Sequence, residues 1–120
     1  MAQEDTTITI YHNPRCSNSR GALALIEARG IQPQVIDYLH AQLSPAHLTA
    51  LVAQLGVPVR EVMRSKEAIY QELDLCREGL SDAELIAQIA VHPVLLNRPI
   101  VVSAKGARLC RPPERVLDLL

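Results

Sequence analysis

Tryptophan and phenylalanine are missing from this sequence, and three tyrosines are the only large aromatic residues. A surface that holds single-stranded nucleic acid stacks bases on aromatic rings, and one that holds a duplex lines up cations along the phosphates. With few rings, a net charge of −1 and no basic tail, the chain offers neither, and no nucleic-acid partner is expected. Long apolar runs are missing too; nothing approaches the roughly 20 residues that a spanning helix needs. The opening MAQEDTT has neither a basic start nor an apolar stretch of the kind an export signal carries. A cytoplasmic protein with no membrane role is expected. Cysteine is scarce, and the three present, Cys16, Cys76 and Cys110, are an odd number at spacings that match no metal-ligand pair. Neither a disulfide framework nor a metal site is expected, and at least one thiol must be free.

What is there fits one domain spanning residues 1–120, long enough to bury a hydrophobic core without a metal or a disulfide. The basic residues are almost all arginine, ten against two lysines. Arginine presents a planar fork that grips oxyanions through paired N–H donors, whereas lysine offers a point charge. A GC-rich genome produces the same bias, so the positions of the arginines must decide between the two.

Residues 7–12 alternate β-branched and aliphatic side chains as a strand does, and the Asn13-Pro14 that follows is a turn signal. Helical spacing runs over 17–29, with Gly30 placed to end the helix, and 33–39 reads as a second strand. Such a βαβ unit pairs its strands in parallel. The middle is helical: Ser44 and Pro45 start a helix that stops at Gly56, short helices follow around VREVMR and KEAIYQEL, and Ser81 with Glu84 forms a capping box on a helix ending at Pro93. Strands are expected at 99–103 and 107–110, joined by a turn at Lys105-Gly106, before a short closing helix in PERVLDLL. The order is that of an α/β fold, a thioredoxin-like mixed sheet carrying a helical insertion.

One stretch does not read as core. In IYHNPRCSNSR, Cys16 stands at the mouth of a helix among Asn13, Pro14, Arg15, Ser17, Asn18 and Ser19. A thiolate, not a thiol, is the nucleophile, and its pKa falls at a helix N-terminus or beside cations. The amides of Asn18, Ser19 and Arg20 are expected to be unpaired first-turn donors facing the sulfur, where an anion would find the same donors. His12, at the strand end, lowers the thiol pKa further if it is protonated, although a histidine there is as readily a hydrogen-bonded edge residue. Against the C-x-x-C pattern of dithiol oxidoreductases, CSNS carries Ser19 in place of a second cysteine. A resolving thiol must come from elsewhere, and Cys110, in a strand, reads as an inert apolar residue.

Four blocks in order, ITIYHNPRCSNSR, VREVMRSKE, HPVLLNRPIVV and ARLCRPPE, resemble the glutaredoxin-coupled arsenate reductase family, its short chromosomal members included. The resemblance implies a thioredoxin-like fold with a helical insertion, a monomeric cytoplasmic enzyme, and reduction of arsenate to arsenite with glutathione as co-substrate and glutaredoxin as partner, no cofactor being bound. Residue by residue, it implies Cys16 as nucleophile, His12 as the histidine that lowers its pKa, Ser19 as a hydroxyl supporting the thiolate, and Arg64, Arg98 and Arg111 as oxyanion ligands converging on the sulfur. It also implies a cis Arg98–Pro99 bond at the start of the strand facing the nucleophile. Two other readings share these residues: a glutathione-dependent thiol reductase acting on another substrate, and an Spx-like regulator that binds RNA polymerase through the same fold. Regulators of that type carry a C-x-x-C switch, which Ser19 precludes.

Overall fold

The computed structural model describes residues 7–120, which fall into two compact units: one formed by the chain up to Asp37 together with Arg98–Leu120, the other by Tyr38–Asn97. The first unit carries the sheet. Strand β1 (Thr9–His12) leads into helix α1 (Ser17–Ala28) and back to β2 (Gln34–Asp37), parallel to β1 with Ile10 opposite Val35 and His12 opposite Asp37. Strands β3 (Ile100–Ser103) and β4 (Gly106–Leu109) complete the order β2-β1-β3-β4, both new pairings being antiparallel. A 3₁₀ helix at Pro113–Leu119 closes the chain. This is the expected mixed thioredoxin-like sheet.

Alternation along β1 builds the core. Ile8 and Ile10 face the same side and pack with Ala22 and Ile26 of α1, Val101 of β3, Cys110, and Val116 and Leu119 of the closing helix. That layer fixes the start of α1 against the end of β1, which is what places the Cys16 loop. Gly21 sits where α1 meets Pro113 so closely that an added Cβ would lie 2.9 Å from the proline ring.

The strands are shorter than the sequence suggests. β1 begins at Thr9, not residue 7, and β2 covers Gln34–Asp37, not 33–39, because Pro33 has no N–H for a ladder and the partner strand β1 ends at His12, opposite Asp37. The hairpin turns at Ala104-Lys105 and not at Lys105-Gly106: Ser103 pairs with Gly106, whose φ of +131° suits glycine.

The second unit is helical. α2 (Pro45–Leu55) has Ser44 as N-cap, the hydroxyl accepting from the His47 amide, with Pro45 in its first turn and Gly56 left-handed at its end. α4 (Asp82–Val91) starts with the expected capping box, Ser81 Oγ accepting from the Glu84 amide while the Glu84 carboxylate accepts from the Ser81 amide. Between them lie a 3₁₀ turn at Val59–Val62 and the short α3 (Ala68–Glu72). Arg60, which no sequence motif singles out, ties this segment together by donating to Tyr70 Oη and to the carbonyls of Leu75 and Arg77 at 3.0, 2.6 and 2.9 Å.

Candidate active site

Cys16 is the N-cap of α1, with extended backbone (φ −93°, ψ 124°). Asn13 shapes the approach: its carbonyl accepts from the Cys16 amide at 2.9 Å, its Oδ1 accepts from the Arg15 amide at 2.9 Å, and its own amide donates to Ser19 Oγ at 3.3 Å. The Asn-Pro turn signal hinted at this role without showing that Asn13 holds both sides of the loop. The first-turn donors follow helix geometry. The Arg20 amide, expected at the sulfur, instead donates to the Cys16 carbonyl at 3.0 Å and closes the first helical bond. That leaves the amides of Ser19 and Asn18 for the sulfur.

Burial pushes the Cys16 thiol up, but hydrogen bonds from the Ser19 amide, the Arg98 side chain, the Asn18 amide and the Ser19 hydroxyl outweigh it, and the pKa is lowered from 9.0 to about 7. Ser19 itself is fully buried. Arg98 reaches the sulfur from two residues before β3, and Arg111 from the residue after Cys110. Arg111 Nη1 stands 3.8 Å from Cys16 Sγ and donates to the Arg98 carbonyl at 2.9 Å. Each arginine precedes a cis proline, Pro99 as the resemblance implies and Pro112 besides. The first unit therefore brings Cys16, Ser19, Arg98 and Arg111 together.

His12 ends β1 and is buried, with no hydrogen-bond partner for Nδ1 among the described residues. Burial lowers its pKa, the neighbouring Asp37 opposes this, and Arg20 reinforces it. The net direction is downward, so the imidazole is neutral at neutral pH, and the low thiol pKa is accounted for by the donors on α1 and by Arg98. Arg64 belongs to the second unit, where its Nε is paired with Glu67 at 3.0 Å and its Nη1 donates to Asn97 Oδ1 at 3.4 Å.

The other thiols differ in kind. Cys110 is fully buried in the core, and burial drives its pKa up to about 11. Cys76 is exposed and its thiol lies 3.4 Å from Asp74 Oδ1. Among the described residues no group of histidine, cysteine or carboxylate side chains is arranged to hold a metal ion, and no helix is long and apolar enough to cross a membrane.

A nucleophilic thiolate beside two guanidiniums is suited to attack on an oxyanion, since the cations offset the repulsion between two negative charges. The family model of the ArsC family matches residues 11–119, a span that contains all six of the residues considered above. The chain belongs to the ArsC family. Within that family it is similar to an arsenate reductase of Rhizobium meliloti, 48% identical over 95% of this chain and 81% of that protein. It is also similar to an arsenate reductase of Haemophilus influenzae, 45% identical over 95% of this chain and 99% of that protein. A solved structure, arsenate reductase from Vibrio cholerae, superposes with a TM-score of 0.93 at 51% identity, covering 98% of this chain and all of that one. As a member of the ArsC family the chain has a thioredoxin-like mixed sheet.

Proposed function

We propose that the protein is an arsenate reductase that uses glutathione and glutaredoxin, working as a cytoplasmic monomer with residues 1–120 as one functional domain. The observation that carries this reading is the Cys16 thiol, its pKa lowered to about 7 by α1 amides and Arg98, with Arg111 at 3.8 Å from the same sulfur. Relatives named arsenate reductase at 45–48% identity supply the substrate.

In the proposed cycle the Cys16 thiolate attacks arsenic, forming an As–S bond as an As–O bond breaks and leaves as water. Glutathione displaces a second oxygen as water, forming another As–S bond. A glutaredoxin thiolate then attacks the glutathione sulfur. That As–S bond breaks with its electron pair left on arsenic, so arsenic is reduced by two electrons while the two thiols become a mixed disulfide. Water releases arsenite from Cys16. Arg98 and Arg111 hold the oxyanion in this scheme, and Ser19 keeps the thiolate charged. His12 is buried at the strand end, with Asp37 opposite it in the neighbouring strand. The third oxyanion ligand, Arg64, rests on the family resemblance.

The test is arsenite formation by purified protein with arsenate, glutathione and glutaredoxin, each omitted in turn. Arsenite is expected only with all three present. No arsenite with every component present, in protein whose Cys16 still alkylates rapidly at pH 7, would assign the thiol to a different substrate.

A further inference from the structure

An arginine that meets an anion through both prongs must have its fork aimed beforehand, because a guanidinium on its four-bond stem otherwise samples many directions. Three acceptors surround Arg111. Nη1 donates to the Arg98 carbonyl at 2.9 Å and faces Cys16 Sγ at 3.8 Å. The third is the side-chain amide of Asn18, half-buried on the first turn of α1. Arginine has five donors and no acceptor, so the amide atom that faces it must be the oxygen. In that orientation Asn18 Oδ1 accepts from Arg111 Nη1 and Nη2 at 3.2 Å each.

Counting donors shows what this leaves. The Arg98 carbonyl takes one N–H of Nη1, and the single Asn18 oxygen sits across the inner N–H groups of the two Nη atoms. What remains is Nε–H with the outer N–H of Nη2, the paired edge that grips two oxygens of one anion. We propose that Asn18 is a positioning residue that fixes the Arg111 guanidinium with Nη1 toward Cys16 Sγ, and so sets the direction in which its remaining donors meet an oxyanion. The Asn18 side chain, on the first turn of the helix that Cys16 caps, bonds the arginine whose Nη1 faces the sulfur, so one residue ties the placement of the anion ligand to that of the nucleophile. The inference rests on the reading of Cys16 and Arg111 as an oxyanion site, and not on arsenic as the substrate.

The test compares alkylation of Cys16 by iodoacetate, whose carboxylate needs the fork, with alkylation by neutral iodoacetamide, which needs only the thiolate. Cys16 is followed by peptide mass so that exposed Cys76 does not contribute. Asn18→Ala keeps the backbone amide, so the pH midpoint of the iodoacetamide reaction is expected to stay near 7. The iodoacetate-to-iodoacetamide ratio is expected to fall about 5-fold, less than the roughly 10-fold of a fully lost charged hydrogen bond. Arg111→Ala is expected to lower the ratio at least as far, and adding Asn18→Ala to it should lower it no further. An unchanged ratio in Asn18→Ala overturns the proposal, and so does an equal drop in both Arg111 backgrounds. A parallel loss of both rates together with a lowered Tm would show a merely structural residue and overturn it too. Neither reagent contains arsenic, so a failed arsenate assay leaves this result interpretable.

Discussion

At the scale of single residues, the decisive balance is between burial of the Cys16 sulfur, which favours the thiol, and four hydrogen bonds that favour the thiolate. An acid whose pKa is lower folded than unfolded binds its proton less tightly in the native state, so ionisation favours the fold. The stabilisation is complete above the unfolded thiol value of 9.0 and is lost as pH falls through about 7. Urea midpoints of the wild type and Cys16→Ser are therefore expected to diverge between pH 7 and pH 9, with the wild type gaining. The same balance ranks the neighbours: Ser19→Ala, which removes a direct donor, is expected to raise the alkylation midpoint of Cys16 more than His12→Gln, whose imidazole is neutral. An equal or larger shift for His12→Gln would return the pKa-lowering role to the histidine. For the oxyanion, a planar fork cannot be replaced by one ammonium. A lost charged hydrogen bond costs about 1.5–3 kcal/mol, so Arg98→Lys is expected to lower kcat/KM for arsenate roughly 10-fold to 150-fold. Arg115→Lys, on the exposed side of the closing helix, is expected to change it little. Matching kinetics for the two variants would remove Arg98 from the site.

The clearest test at the scale of elements is the contact between α1 and the closing 3₁₀ helix. Gly21→Ala gains about 1 kcal/mol of helix propensity. Against this, its Cβ would meet Pro113 Cγ at 2.9 Å and Cβ at 3.2 Å, and a proline ring has little room to yield. Overpacking of this kind costs about 1–3 kcal/mol, so the variant is expected to be less stable by about 1 kcal/mol, read as a lowered urea midpoint. A more stable variant would show that the closing helix moves aside freely. The elements were largely legible because local chemistry announces them: Ser44 with Pro45, Ser81 with Glu84, and Gly30 and Gly56 mark helix ends whatever lies around them. Strand lengths were less legible, since pairing depends on the partner, and β2 stops at Asp37 where β1 ends at His12. Of the site, the cysteine and its arginines could be picked out by position and by family resemblance. Asn18 could not, because its use depends on an arginine 93 positions away that only the folded sheet brings near. Arg60 stayed hidden for a related reason: it bonds carbonyls, which every residue has and no motif records.

For the molecule as a whole the question is where the second sulfur of the cycle comes from. A dithiol enzyme would resolve the Cys16 adduct with one of its own cysteines, whereas the proposed cycle takes every further thiol from glutathione and glutaredoxin. Ser19 stands where a C-x-x-C motif has its second cysteine, and its hydroxyl is committed to the Asn13 amide and the Cys16 sulfur. Cys110 is close in sequence to Arg111, but full burial and a pKa of about 11 leave only roughly one molecule in 10⁴ as thiolate at pH 7, too few to compete with free glutathione. Its contribution is to packing, in the same cluster as Ile10, Ile26 and Val116. Cys110→Ser puts a hydroxyl in that cluster and is expected to lower stability by about 1–3 kcal/mol while leaving the activity of the folded protein nearly intact. Cys76→Ser, at an exposed site, is expected to change neither. Cys16→Ser should abolish reduction with no loss of fold. The measurement is arsenite formation by each variant at saturating glutathione and glutaredoxin, with Tm recorded alongside. Loss of turnover in Cys76→Ser at an unchanged Tm would identify an internal resolving thiol, and the external-thiol cycle would then be wrong at its second step, although Cys16 would remain the nucleophile.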